Sequence, residues 1–147
     1  MKKVYYVGDW AILTGPVFAE TPFHHSPKGL EIFNYGVWLK DALEKDPEYQ
    51  VNSVSAWDFY NNLGPGDYEQ LLIDYDLIIF SDVDAKLFQL SPKFFDRSKF
   101  GKEVLTFPDR IRLSVEHAHQ GGRYMFLGGW YSFTGELGKG GWGRTRL

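Results

Sequence analysis

Asp76-Leu77-Ile78-Ile79-Phe80-Ser81-Asp82 places four apolar residues in a row between polar ends. A run that short and that uniformly apolar predicts a strand buried on both faces, the kind found at the centre of a parallel sheet. Val4-Tyr5-Tyr6-Val7, stopped by Gly8-Asp9, predicts a second strand of the same type. Tyr49 to Val54 alternates Tyr49, Val51 and Ser53 with polar neighbours, which suits a sheet edge, and Tyr124 to Leu127 predicts a fourth strand. Pro65 to Tyr75 reads as a helix with Tyr68, Leu71 and Leu72 inward. Thr106, Pro108 and Asp109 make a capped helix start for a segment running to His119, with Gly121-Gly122 as its stop. Leu30, Phe33, Val37, Leu39 and Leu43 recur near helical spacing and predict the first helix. Strands alternating with helices require right-handed crossovers, so the expected fold is α/β: a flavodoxin-like, doubly wound, mostly parallel sheet of order 2-1-3-4.

A chain of 147 residues is the size of one domain, and residues 1–147 are read as a single α/β unit. Sixteen Lys plus Arg against 19 Asp plus Glu give a net charge of -3, so there is no basic field for a phosphate backbone and no nucleic-acid partner is expected. The absence of cysteine removes disulfides, thiolate metal sites and any thiol nucleophile. No stretch approaches the roughly 20 apolar residues that cross a bilayer, and no cleavage pattern follows the amino terminus. The reading is therefore cytoplasmic, with no membrane partner. No G-x-G-x-x-G follows the first strand, no G-x-x-x-x-G-K-[ST] occurs, and no short hydroxyl-rich turn precedes the first helix. Nucleotide and flavin binding are unsupported, and no cofactor is expected.

Trp10 to Gly29, broken by Gly15-Pro16, Thr21-Pro22 and Ser26-Pro27, reads as a functional loop longer than a usual connection. Aromatic residues from Leu87 to Phe107 suggest loops and short turns over the sheet's carboxyl edge. After Leu127 the chain carries Gly128, Gly129, Gly135, Gly138, Gly140, Gly141 and Gly143, an irregular tail expected to be anchored by Trp130 and Trp142. A fourth strand without a covering helix leaves an edge bare, so the fold is expected to be incomplete on its carboxyl-terminal side, as in a piece of a longer chain.

In an open parallel sheet, ligands sit outside the carboxyl ends of the strands. The residues there are Asp9-Trp10, Trp57-Asp58, Ser81-Asp82 with Asp84, and Gly129-Trp130-Tyr131-Ser132. Carboxylates and indoles converging on one edge form an acidic, aromatic cleft suited to a sugar or a small polar metabolite, so a small-molecule ligand is the expected partner. Each aspartate has a second reading as a cap or turn former, and each tryptophan as packing. His24-His25, in the long loop, could join Asp9, Asp58 or Asp82 as a base or metal site, although their spacing favours neither and no metal is assigned.

Taken together, Val4-Tyr5-Tyr6-Val7-Gly8-Asp9-Trp10, Phe80-Ser81-Asp82-Val83, Phe107-Pro108-Asp109-Arg110 and Phe126-Leu127-Gly128-Gly129-Trp130-Tyr131-Ser132 resemble the class I glutamine amidotransferase-like family, in its bacterial members that lack the catalytic cysteine. The Gly-Gly-Trp-Tyr-Ser-Phe-Thr-Gly segment is the most specific part of the likeness. The resemblance places the nucleophilic cysteine of true amidotransferases where Trp130 stands here, and their histidine and glutamate partners beyond Leu147. Indole supplies no nucleophile, so glutaminase chemistry is not expected and whether any catalysis occurs is left open. Relatives of the trehalose-utilisation type keep a carbohydrate ligand in view by analogy.

Three functions follow as expectations. One is an amidotransferase-like protein that binds a small polar or sugar-like ligand through Asp9, Trp10, His24, His25, Trp57, Asp58, Asp82, Asp84, Trp130, Tyr131 and Ser132. The second is a hydrolase using His24 or His25 with Asp82, with or without a metal, or Ser132 as nucleophile with His24 or His25 as its base. The third is a non-catalytic assembly module, a homo-oligomer joined through Phe88, Phe94 or Trp142.

Overall fold

The computed structural model describes residues 1–14, 17–21, 24–27, 30–89, 93, 95–96, 104–105, 109–135, 137 and 140–147, with side chains described for a smaller set that omits 13–30. The strands are β1 (Lys2–Gly8), β2 (Trp10–Thr14), β3 (Val17–Thr21), β4 (His24–Pro27), β5 (Leu30–Asn34), β6 (Tyr49–Val54), β7 (Leu77–Ser81), β8 (Phe95–Asp96), β9 (Val104–Leu105) and β10 (Tyr124–Leu127). The helices are α1 (Val37–Leu43), α2 (Ala56–Asn62), α3 (Pro65–Asp74), α4 (Ala85–Gln89) and α5 (Arg110–His119).

Four strands pair in parallel in the order β6-β1-β7-β10. Counted along the chain, that is the 2-1-3-4 order of a flavodoxin-like sheet. Side chains alternate across it. Tyr5 and Val7 of β1 and Ile78 and Phe80 of β7 enter one core with Phe59, Tyr68, Leu71, Leu72, Phe88, Ile111 and Trp142. Val4, Tyr6, Val51 and Ile79 face the other way, under Leu39 and Leu43 of α1. Handedness accounts for this division: α1 connects β1 to β6 in one direction, whereas α2, α3 and α5 serve crossovers in the opposite direction and so cover the opposite face.

The first core is largely aromatic. Phe80 and Phe88 meet edge to face at 4.9 Å, and Phe59 stacks on Phe88 at 5.5 Å. Arg110 lies fully buried beside them, its guanidinium 4.3 Å above the Phe59 ring. Its Nη2 donates to the carbonyls of Phe59 (2.7 Å) and Leu63 (2.8 Å), so the cation closes the carboxyl end of α2, where the helix dipole favours positive charge. Burial lowers its pKa to about 10, which leaves it charged at neutral pH.

The segment expected to be one long loop followed by a helix from Leu30 is built differently. β2 and β5 form an antiparallel ribbon, pairing Trp10 with Asn34 and Ile12 with Ile32, and β3 pairs with β4 beyond it. The helix starts only at Val37, because Leu30 to Asn34 is taken up by the ribbon. Helical spacing over Leu30 and Phe33 was outweighed by pairing with a distant partner, a contact that a local pattern does not contain.

Among the described residues beyond β10, a 3-10 turn spans Trp142–Arg144. Trp142 is its anchor, buried against Phe80, Phe88 and Phe126, with Nε1 donating to the Val83 carbonyl at 2.6 Å. Trp130 is not an anchor: it is 72% exposed. Among the described strands β10 pairs only with β7 and forms a sheet edge, and Met125, on the α1 side, is 44% exposed.

Candidate functional site

Gly8 on β1 lies in register with Ser81 on β7, so the next residues, Asp9 and Asp82, leave the sheet side by side at its carboxyl edge. Both turn sharply, with φ of 54° for Asp9 and 51° for Asp82. Left-handed backbone at a non-glycine residue is uncommon, and aspartate is among the residues that tolerate it best. The turn at Asp9 depends on the glycine before it. Gly8 has φ 116°, and a Cβ there would lie 1.9 Å from the Ser81 carbonyl oxygen.

Each of these aspartates fastens a tyrosine-bearing segment to its strand. The main-chain carbonyl of Asp9 accepts from the Tyr35 N–H at 2.7 Å. The Tyr6 hydroxyl donates to Asp9 Oδ2, and burial, with help from that acceptor, raises the Tyr6 pKa well above its ordinary value and keeps it a donor. Across the cleft, Asp82 Oδ1 accepts from the Tyr131 N–H. Asp82 lies so close to the chain at Gly129 that a Cβ there would be 2.3 Å from its Cγ. Below Tyr131, the buried Ser132 donates its hydroxyl to the Leu127 carbonyl at 2.8 Å.

The result is a cleft of about 440 Å3 lined, among the described residues, by Gly8, Asp9, Trp10, Ala11, Tyr35 and Ala56 on one side and by Asp82, Asp84, Leu87 and Tyr131 on the other. Its volume lies within the usual range of small-molecule pockets. Asp84 accepts from the Lys86 N–H at 2.6 Å through Oδ1 as α4 begins. The Trp10 indole meets Trp57 edge to face at 6.3 Å, and its enclosed Nε1 has no hydrogen-bond partner among the described residues.

Of the residues singled out by position after a strand, Asp9, Trp10, Asp82, Asp84 and Tyr131 line this cleft. Trp57 supports Trp10 from α2. Asp58 serves the start of α2 instead: its N–H donates to Ser55 Oγ at 3.1 Å, and its Oδ2 accepts from that hydroxyl at 2.6 Å. Trp130 is exposed, and Ser132 turns inward. His24 and His25 sit on β4, and their side chains lie outside the described residues. Tyr35 had no signal in the sequence, since it is brought in by the ribbon.

Chemically, the cleft offers carboxylate acceptors and aromatic faces. The described residues contain no group of three or more His, Asp or Glu placed to hold a metal ion. Bends occupy Gly129 to Ser132 where a nucleophile elbow would pass straight into a helix, and Trp130 is not among the residues with positive φ. No described helix is long and apolar enough to cross a membrane.

No curated protein matches the chain. Among solved structures it is similar to the cytoplasmic protein STM1381 of Salmonella typhimurium LT2, at 22% identity and a TM-score of 0.75, over 99% of this chain and 54% of that one. It is also similar to the cytoplasmic protein STM3548 of Salmonella typhimurium, at 20% identity and a TM-score of 0.75, over 97% of this chain and 53% of that one. At such identities the likeness is one of fold, and the chain spans about half the length of either structure. A family model described as "Putative glutamine amidotransferase" matches residues 24–147, and the chain belongs to that glutamine amidotransferase-like family.

Proposed function

We propose that this protein is an amidotransferase-like member without glutaminase chemistry, which binds a small polar or sugar-like ligand at the carboxyl edge of β1 and β7 and works in the cytoplasm. The observation that carries this reading is the cleft flanked by Asp9 and Asp82, with Trp10, Tyr35 and Tyr131 on its walls. Carboxylates paired with aromatic faces suit ligands that present hydroxyl donors on one edge and C–H groups on the other. The chain has no cysteine, and Trp130 provides no substitute nucleophile. Ser132 is spent on a main-chain carbonyl.

A thermal-shift panel of neutral sugars, amino sugars, polyols and amino acids tests the proposal. A ligand at 100 times its Kd stabilises the fold by about 2.7 kcal/mol. That stabilisation should shrink in Asp82→Asn and Trp10→Phe. A panel without any stabiliser, or one whose stabilisation ignores both substitutions, refutes the reading.

The assembly reading has a different surface in its favour from the one expected. Phe88 and Trp142 are core residues, and Phe94 lies outside the described residues. Phe33, Tyr35 and Trp38 instead form an exposed row with neighbouring ring centroids 6.1 Å apart. Light scattering that finds a stable oligomer, lost in Trp38→Glu, would support it, and a monomer would remove it.

A further inference from the structure

We infer that a second site lies in the groove between α5 and the tail, and that it takes a phosphate monoester carried on a small apolar body. The groove has a volume of about 690 Å3, within the range of small-molecule sites, and shares no described lining residue with the cleft. Ile111 and Val115, one turn apart on α5, form its apolar floor, and Arg112, Arg144 and Arg146 stand around them. Its two carboxylates are used within α5: Asp109 Oδ1 accepts from the Arg112 N–H at 2.8 Å, and Glu116 Oε1 from Arg112 Nε at 2.9 Å. The Glu116 contact occupies the Nε edge of Arg112, and its two terminal NH2 groups make no hydrogen bond among the described residues.

Arg144 and Arg146 have no acidic partner among the described residues, yet the core fixes where they stand. Trp142 is buried, Leu147 packs against the same core cluster, and Thr145 Oγ1 donates to the Trp142 carbonyl at 2.9 Å, so the segment is fastened at both ends. Thr145 is extended, with φ −97° and ψ 173°, and extended backbone puts the residues on either side of it on one face. Two like charges are thus held side by side on one groove of a chain whose net charge is -3, a repulsion that an anion relieves. Residues two apart on an extended segment are about 6.5 Å apart at Cα, close enough for both guanidinium groups to close on one tetrahedral ion. A phosphate monoester carries nearly two negative charges and three terminal acceptor oxygens, which lets Arg144, Arg146 and Arg112 each donate to it. Its carbon body then lies over Ile111 and Val115, which offer an apolar surface and no polar side-chain atom.

Calorimetric titration of the chain with phenyl phosphate, inorganic phosphate, phthalate and phenol separates the charge from the body. Phenyl phosphate should bind about tenfold more tightly than inorganic phosphate or phthalate, and phenol should give no binding heat. The double variant Arg144→Gln, Arg146→Gln should weaken phenyl phosphate about tenfold or more, and its Tm should not fall, because both side chains are exposed. If that variant fails to fold, amide chemical-shift mapping of the unaltered protein with phenyl phosphate still decides, with shifts expected at Ile111 to Glu116 and Arg144 to Leu147. Silence from phenyl phosphate, or an affinity unchanged in the double variant, overturns the site, as do shifts confined to other residues. Phthalate or inorganic phosphate binding as tightly as phenyl phosphate overturns the ligand class.

Discussion

Replacing Gly129 by alanine should damage the wall of the cleft without touching the core. The three heavy atoms nearest the new Cβ all belong to Asp82: Cγ at 2.3 Å, Oδ1 at 2.4 Å and Cβ at 2.7 Å. Carbon atoms do not approach within 3 Å, so either Asp82 or the turn must move by more than half an ångström. Asp82 has little freedom, with its backbone in the left-handed region and its N–H donating to the Leu127 carbonyl at 3.3 Å. The displacement therefore breaks the bond from the Tyr131 N–H to Asp82 Oδ1. A hydrogen bond to a charged group contributes about 1.5–3 kcal/mol, and partial exposure puts this one near the lower end, about 2 kcal/mol. For a domain of this size that is a fall in Tm of roughly 4–8 °C. Asp82→Gly removes the obstructing atoms and relaxes the left-handed turn, so in that background Gly129→Ala should cost less than about 0.5 kcal/mol. Urea denaturation of the four proteins of this cycle gives the coupling directly. An equal cost of Gly129→Ala in both backgrounds would show that Asp82 is not what the glycine accommodates.

The two tryptophans of the tail should behave oppositely: Trp142→Ala costs about 3–5 kcal/mol in urea unfolding, and Trp130→Ala stays within about 0.5 kcal/mol. Arg110→Met keeps the bulk but strips the carbonyls of Phe59 and Leu63 of their donor, with an expected loss of about 3 kcal/mol by the same measurement. Burial holds the pKa of His117, whose Nδ1 lies 2.7 Å from the Tyr124 hydroxyl, below its ordinary 6.5. Below pH 6.5 the unfolded chain therefore takes up the proton first, and stability present above that pH is lost as pH falls through the lowered folded value. Comparing His117→Gln with the unaltered protein between pH 7 and 5 should show a shallower loss in the variant.

The parallel sheet was legible because its strands announce themselves locally. Leu77 to Phe80 and Val4 to Val7 are apolar on both faces, and right-handed crossovers then leave few ways to order them. The same logic reached part of the cleft, since Asp9, Trp10, Asp82 and Asp84 come just after those two strands. Tyr35 could not be reached that way, because it enters through the pairing of β2 with β5, set by contacts across some twenty residues of chain. Asp58 shows the opposite limit. It follows β6 as expected, but Ser55 starts a helix there, and the carboxylate is consumed by that local bond. Trp130 and Trp142 look alike in a glycine-rich tail, and only the approach of the Val83 carbonyl decides which is buried.

The central claim is that the edge between β1 and β7 is a binding site. Amide chemical-shift mapping of the chain during titration with the strongest stabiliser of the thermal-shift panel tests it most directly. The account predicts saturable shifts concentrated at Gly8 to Ala11, Tyr35, Asp82 to Asp84 and Tyr131, with the amino ends of the strands unmoved. Shifts confined to another surface, such as the groove between Arg112 and Arg144, would contradict it.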